Sequence, residues 1–127
     1  MDKHFIDLFA KTAEGAKVIS LRVKDAPQVD KEAQAAAASM ANIYQTLEDK
    51  IKTNFSSLTK DDFGRLLIGT AIVLQQAKIH LEAQEKVCKE YEEQILPRLN
   101  LIVKNCKTNE EAQESAEKFF QLIEKNK

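Results

Sequence analysis

Apolar residues recur along this chain at steps of four and three, the spacing that gathers them on one face of an α-helix. The longest run lies between Thr59 and Lys107, where Phe63, Leu67, Thr70, Leu74, Ala77, Leu81, Gln84, Cys88, Tyr91 and Ile95 mark one stripe, followed by Pro97. A continuous helix over this span would be about 65 to 70 Å long, well beyond the diameter of a compact domain of this size. The pattern therefore predicts an elongated molecule. Thr59 with Asp62 reads as a variant capping box opening this helix. Thr108-Asn109-Glu110-Glu111 is a full capping box that opens a final helix over 109–125, on Ala112, Ala116, Phe119 and Ile123.

Upstream, Phe5, Phe9, Thr12, Ala16, Ile19 and Val23 predict a first helix over 2–24. Ala33, Ala37, Met40, Tyr44, Leu47 and Ile51 predict a second over 28–55, in which the run Ala35 to Ala38 lets another backbone approach closely. Pro27 ends or kinks the chain between them. Two architectures stay open there: a hairpin gives a four-helix bundle, a kinked rod a coiled coil. In the long helix, Ile68, Ile72, Val73 and Ile79 join the stripe between Leu66 and Leu81, which predicts a segment apolar nearly all round at the buried centre. Beyond Leu81 the outer positions are charged, and Cys88, Tyr91 and Ile95 keep the seam. Pro97 predicts a kink near Gln94 to Leu96, or a break after which it starts a new turn.

The expected fold is all-α: a single domain over 1–127, built as an elongated antiparallel helical bundle or coiled coil of three to four helices. Its helices span approximately 2–24, 28–55, 60–105 with a kink near Pro97, and 109–125. The last is too short to cover all of the long central helix, so surplus apolar surface is expected to be covered by a second chain, most simply in a homodimer.

Composition agrees with this class. Among 127 residues, 43% are apolar and 31% charged, enough for a core with a solvated surface, and three Gly, two Pro and no Trp leave little turn chemistry. A net charge of −1 gives no general attraction to nucleic acid. The first residues have no uninterrupted apolar stretch and nowhere do eighteen apolar residues run together, so the expected location is cytoplasmic, with a membrane met only at its surface. Cys88 and Cys106 would lie about 27 Å apart on one helix and are expected to be free thiols.

Motifs for chemistry are missing. Neither His4 nor His80 has a glutamate three positions before it, as a di-iron bundle requires. The pairs Glu82 and Glu85, Glu90 and Glu93, Glu114 and Glu117 have the spacing of magnesium-binding carboxylates, but Lys86 and Lys89 sit at the i,i+4 positions that suit solvated ion pairs. There is no phosphate loop, nucleophile motif or zinc spacing. The expectation is a non-enzyme with no metal, cofactor or small-molecule substrate. Three windows lack acidic residues: Lys17 to Lys24, Lys50 to Lys60 and Arg98 to Lys107. Their cations either complement helix dipoles or meet anionic lipid head groups.

The first helix, the long middle segment DFGRLLIGTAIVLQQAKIHLEAQEKVCKEYEEQILPRLNLIVK and above all Glu93, Ile95, Leu96, Pro97 and Leu99 resemble BAR domains over roughly residues 1 to 107. The resemblance implies an elongated dimer of three-helix coiled coils that binds anionic membranes through basic residues. It assigns lipid contact to Arg98, Lys104 and Lys107, and also to Lys50 and Lys52. The chain departs from the family in its short last helix and its lower basic charge, as a shortened or divergent member would. The function expected is a non-enzymatic interaction module docking on anionic membranes or membrane-trafficking partners. The alternative is a soluble adaptor, chaperone or inhibitor that offers the seam of Leu81, Gln84, Cys88, Tyr91 and Ile95 to a helix of another protein.

Overall fold

Leu81 is where the expected rod turns back on itself. A computed structural model describes the backbone of residues 3–81 and 85–125 and the side chains of residues 6–81 and 86–119; Glu82 and Gln84 lie outside the described residues, and of Phe5, Glu85 and Ile123 only the backbone is described. In chain order the elements are α1 (Lys3–Lys24), α2 (Lys31–Thr53), a 3₁₀ turn (Phe55–Ser57), α3 (Lys60–His80), α4 (Glu85–Glu90), a π turn (Tyr91–Ile95), α5 (Leu96–Asn105) and α6 (Asn109–Lys125). The described residues are all-helical, without a strand.

The helix expected to run over 60–105 ends at His80, and Leu81 takes a non-helical backbone with φ −127° and ψ 81°. Lys78 Nζ lies 3.1 Å from a Glu92 carboxylate oxygen. On one straight helix those residues would be about 21 Å apart, so the chain reverses and α4 and α5 return along α3. The elongated reading gives way for a simple reason: four-three spacing is the same whether two amphipathic halves lie end to end or fold back, and folding back buries each stripe against the other. Gln28 Nε2 donates to the His80 carbonyl at 2.8 Å, satisfying an orphan acceptor at the end of α3.

At Pro27 the chain forms a hairpin. Lys17 Nζ donates to Gln45 Oε1 at 2.7 Å and lies 3.8 Å from Glu48, which sets α1 alongside α2. α2 begins at Lys31, later than its apolar spacing predicts, because Asp30 is the cap: its side chain accepts from the Ala33 amide at 2.8 Å. Thr59 and Asp62 form the reciprocal capping box of α3.

Tyr91, Ile95 and Leu99 are all buried and stand four apart in succession. On a regular helix each step of four drifts by about 40°, and the π turn takes up that drift so that all three face inward. Pro97, in the first turn of α5, has no amide to donate to the Glu93 carbonyl, which eases the wider turn there.

One core joins the elements. Phe9 of α1 meets Phe55 edge-on at 6.1 Å and Phe63 at 5.8 Å between ring centroids. The Tyr44 and Thr70 hydroxyls share a buried hydrogen bond of 2.8 Å, and the Tyr91 hydroxyl donates to the Thr12 carbonyl at 2.8 Å. α6 closes the end near the 3₁₀ turn: Gln113 Nε2 donates to the Ser56 and Leu58 carbonyls, and the Lys60 amide donates to Asn109 Oδ1.

α3 is not apolar-buried all round. Phe63, Leu66, Val73, Leu74 and Ala77 face the core, whereas Ile68 is 63% exposed, Ile72 52% and Ile79 64%. Ile68 and Ile72 open instead onto a hollow between α2 and α3.

Two glycines should respond oppositely to alanine. A Cβ at Gly15 would strike the Tyr91 hydroxyl, the end of a rigid ring already held by Thr12, whereas a Cβ at Gly64 meets nothing within 4 Å. Gly64→Ala should stabilise the helix by about 0.5–1 kcal/mol. Gly15→Ala should instead destabilise by about 1–3 kcal/mol, despite the same gain in helix propensity. Denaturant unfolding followed by circular dichroism checks both. A stabilised Gly15→Ala variant would contradict the seating of Tyr91 on α1.

Candidate interaction groove

The residues expected to form an open seam are consumed by the fold itself. Cys88 is 0% exposed, Tyr91 7% and Ile95 9%, all within the common core; Leu81 is half-buried and Gln84 lies outside the described residues. The reversal at Leu81 turns their face inward, so it cannot receive another chain's helix. Burial pushes the Cys88 thiol up, as does the nearby Glu92 charge, the reverse of what activates a nucleophile.

The cations expected to touch lipid are dispersed and partly engaged. Lys50 Nζ donates to Asp62 Oδ2 at 2.9 Å. Burial would raise the Asp62 carboxyl, but the Thr59 amide and Lys50 outweigh it and hold this acid below its ordinary range. Lys52 lies 3.5 Å from Glu48, and the Arg98 guanidinium stands 5.0 Å over the Phe119 ring centroid in a contact of α5 with α6. Lys104 and Lys107 are exposed and make no ion pair among the described residues. Arg98 and Lys104 are six positions apart on α5, about 120° from sharing a face.

What stands open is a groove between α2 and α3. Its larger hollow, of about 590 Å³, has Met40 and Ile43 of α2 on one wall, Ile68 and Ile72 of α3 on the other, and Val103 of α5 at its edge. A second hollow of about 310 Å³ adjoins it, sharing Met40 and Ile72 and adding Ala33, Ala36 and Ala37. Small residues make the space: the alanines keep α2 thin, Gly64 leaves an opening, and a Cβ at Gly69 would strike the Met40 side chain. Along α3 the groove runs from Lys60 to Gln76, about 24 Å at the rise of a helix.

Charge divides the groove lengthwise. Lys60, Asp61 and Arg65 stand at one end and Asp30 and Glu32 at the other. The opposition follows from antiparallel packing, with Tyr44 opposite Thr70 and Lys50 opposite Asp62, which brings the start of α2 to the end of α3. None of these five groove-end charges makes an ion pair among the described residues.

Sequence reading missed this site because it placed Ile68 and Ile72 in the core. The available signal was that both fall off the four-three stripe, on a helix that already had one apolar face, beside two glycines.

Among the described residues there is no cluster of His, Cys, Asp or Glu able to hold a metal ion, and no buried side-chain polar atom lacks a hydrogen-bond partner. No helix among them is long and apolar enough to cross a membrane. No protein-family model, curated protein or solved structure matches the chain.

Proposed function

We propose that this chain is a non-enzymatic helical interaction module that seats an amphipathic protein helix in the groove between α2 and α3. The observation that carries the reading is the exposure of Ile68 and Ile72, at 63% and 52%, along a channel of small and apolar residues. Burying an isoleucine side chain is worth about 1.5–3 kcal/mol, so a helix laid there gains from several contacts at i, i+3 and i+4. The groove replaces the Cys88 and Tyr91 seam as the surface offered to a partner.

Docking on anionic membranes, the role implied by the BAR-domain resemblance, draws less support. Lys50, Lys52 and Arg98 are engaged within the chain, which leaves Lys104 and Lys107 with about 1 kcal/mol each at a lipid surface.

A photo-crosslinking residue placed at Ile72 in the expressed chain tests the groove reading. It should yield a discrete adduct mapped to an amphipathic helix, and Ile68→Glu should remove that adduct. The same diffuse adducts from Ile72 and from Lys89, a solvent-facing position on α4, would sink the reading.

A further inference from the structure

Resting on the groove reading, we infer that the occupant is a second copy of this chain, its α3 lying antiparallel in the groove about a two-fold axis near Ile72. Three features of the groove select this partner.

The first is the apolar ridge that the groove calls for. Ile68, Ile72 and Ile79 project from α3 as an exposed row, and the first two form one wall of the channel. A two-fold operation sets the same row of the second copy against the opposite wall, around Met40. Each copy then supplies both ridge and groove, which is the requirement for a closed, isologous interface.

The second is charge. Lys60 and Arg65, with Asp61 between them, leave one end net basic, and Asp30 and Glu32 make the other acidic. An antiparallel second copy brings the basic end of each chain to the acidic end of its partner, and symmetry makes the match twice. A parallel copy would set like against like, so the charges also fix the direction.

The third is register. The two hollows meet at Met40 and Ile72, and the axis is placed at that junction. An axis at Ile72 carries Arg65 to the level of Ile79 on the partner's α3. Tyr44 pairs with Thr70 beneath the groove, so Glu32 lies near the far end of α3, at about that same level. Arg65 of one copy thus faces Glu32 of the other. The channel is about 24 Å long, a small contact that suits a reversible dimer with a dissociation constant on the order of micromolar.

Sedimentation of the full chain over a wide concentration range tests the inference. The wild type should pass from monomer to dimer with rising concentration. Ile72→Glu, which sets two carboxylates across the axis at an exposed position, should abolish the dimer without loss of helicity. Arg65→Glu and Glu32→Arg should each weaken the dimer about tenfold, because either change turns two attractive rim contacts repulsive. Mixed in equal amounts, those two single variants should form a heterodimer of about wild-type strength, since both cross-contacts are then attractive.

A wild-type monomer at every concentration overturns the second-copy inference. If the Ile72 crosslink then maps to a different protein, the groove reading survives; if it yields no discrete adduct, both fall. A dimer unmoved by Ile72→Glu uses another face and also overturns the inference. Failure of the mixed variants to recover association overturns the antiparallel register.

Discussion

Truncating Tyr91 to alanine is expected to lower the unfolding free energy by about 3–5 kcal/mol, the range seen when a large buried aromatic side chain is removed. Tyr91 is 7% exposed, packs where α1 meets the returning segment after α3, and donates a 2.8 Å hydrogen bond to the Thr12 carbonyl. Removal leaves a cavity and withdraws that donor. Against a typical domain stability of about 5–15 kcal/mol, the loss is large enough to populate unfolded chains measurably. Ile72→Ala is the comparison: its side chain is 52% exposed, so its effect should be well under half as large. Chemical denaturation of the two variants separates the readings of the chain. If Tyr91→Ala were near neutral, Tyr91 would belong to an open seam after all.

Alkaline titration should produce the second large effect. The chain has two tyrosines, Tyr44 and Tyr91, and no tryptophan, so tyrosinate absorbance reports on these residues alone. Burial pushes Tyr44 up to about 12, with the Thr70 hydrogen bond acting weakly in the opposite direction. Burial raises Tyr91 as well. A phenol whose pKa is higher in the folded chain stabilises the fold fully below its unfolded value of about 10, and that contribution is lost as pH climbs from there through the folded value. For Tyr44, which is 0% exposed, the loss amounts to about 2–3 kcal/mol by pH 12, and Tyr91 adds to it. Tyrosinate absorbance should therefore stay low at pH 10 and then rise together with the loss of helical circular dichroism. Ionisation near pH 10 with helicity intact would show both phenols open to solvent.

The two experiments bear on the groove indirectly, because its walls are held by these buried contacts. The Tyr44–Thr70 hydrogen bond ties α2 to α3 beneath the channel. Tyr91, the first residue of the π turn, joins the returning segment to α1. A chain that keeps both contacts presents Ile68 and Ile72 on a fixed frame rather than on a loose helix, which lowers the ordering cost of association.

Local signals were legible where they act locally. Thr59 and Asp62 marked the start of α3, and Thr108 with Glu111 marked that of α6, where the Glu111 amide donates to Thr108 Oγ1 at 3.1 Å and a Glu111 carboxylate oxygen accepts from the Lys107 amide at 3.0 Å. The inward residues of α1 and α2, such as Phe9, Ile19, Tyr44 and Ile51, also followed from their spacing, since a helix has one buried face whatever covers it. The candidate site was not legible in the same way. Ile68 and Ile72 have the composition of core residues, and their exposure depends on which helices happen to stand beside α3.

Sequence by itself determined that this chain is helical, where α1, α3 and α6 start, and where its apolar stripes run, because capping, proline and periodicity act within a few residues. Only the tertiary structure decided that the stripe from Phe63 to Ile95 folds back on itself at Leu81, that Tyr91 closes onto Gly15, and that Lys50 and Arg98 are occupied. It also decided that the second apolar side of α3 stays open opposite the alanines of α2. The physical reason is common to all of these: a helical repeat records which residues seek cover, while the covering surface comes from residues distant in the chain.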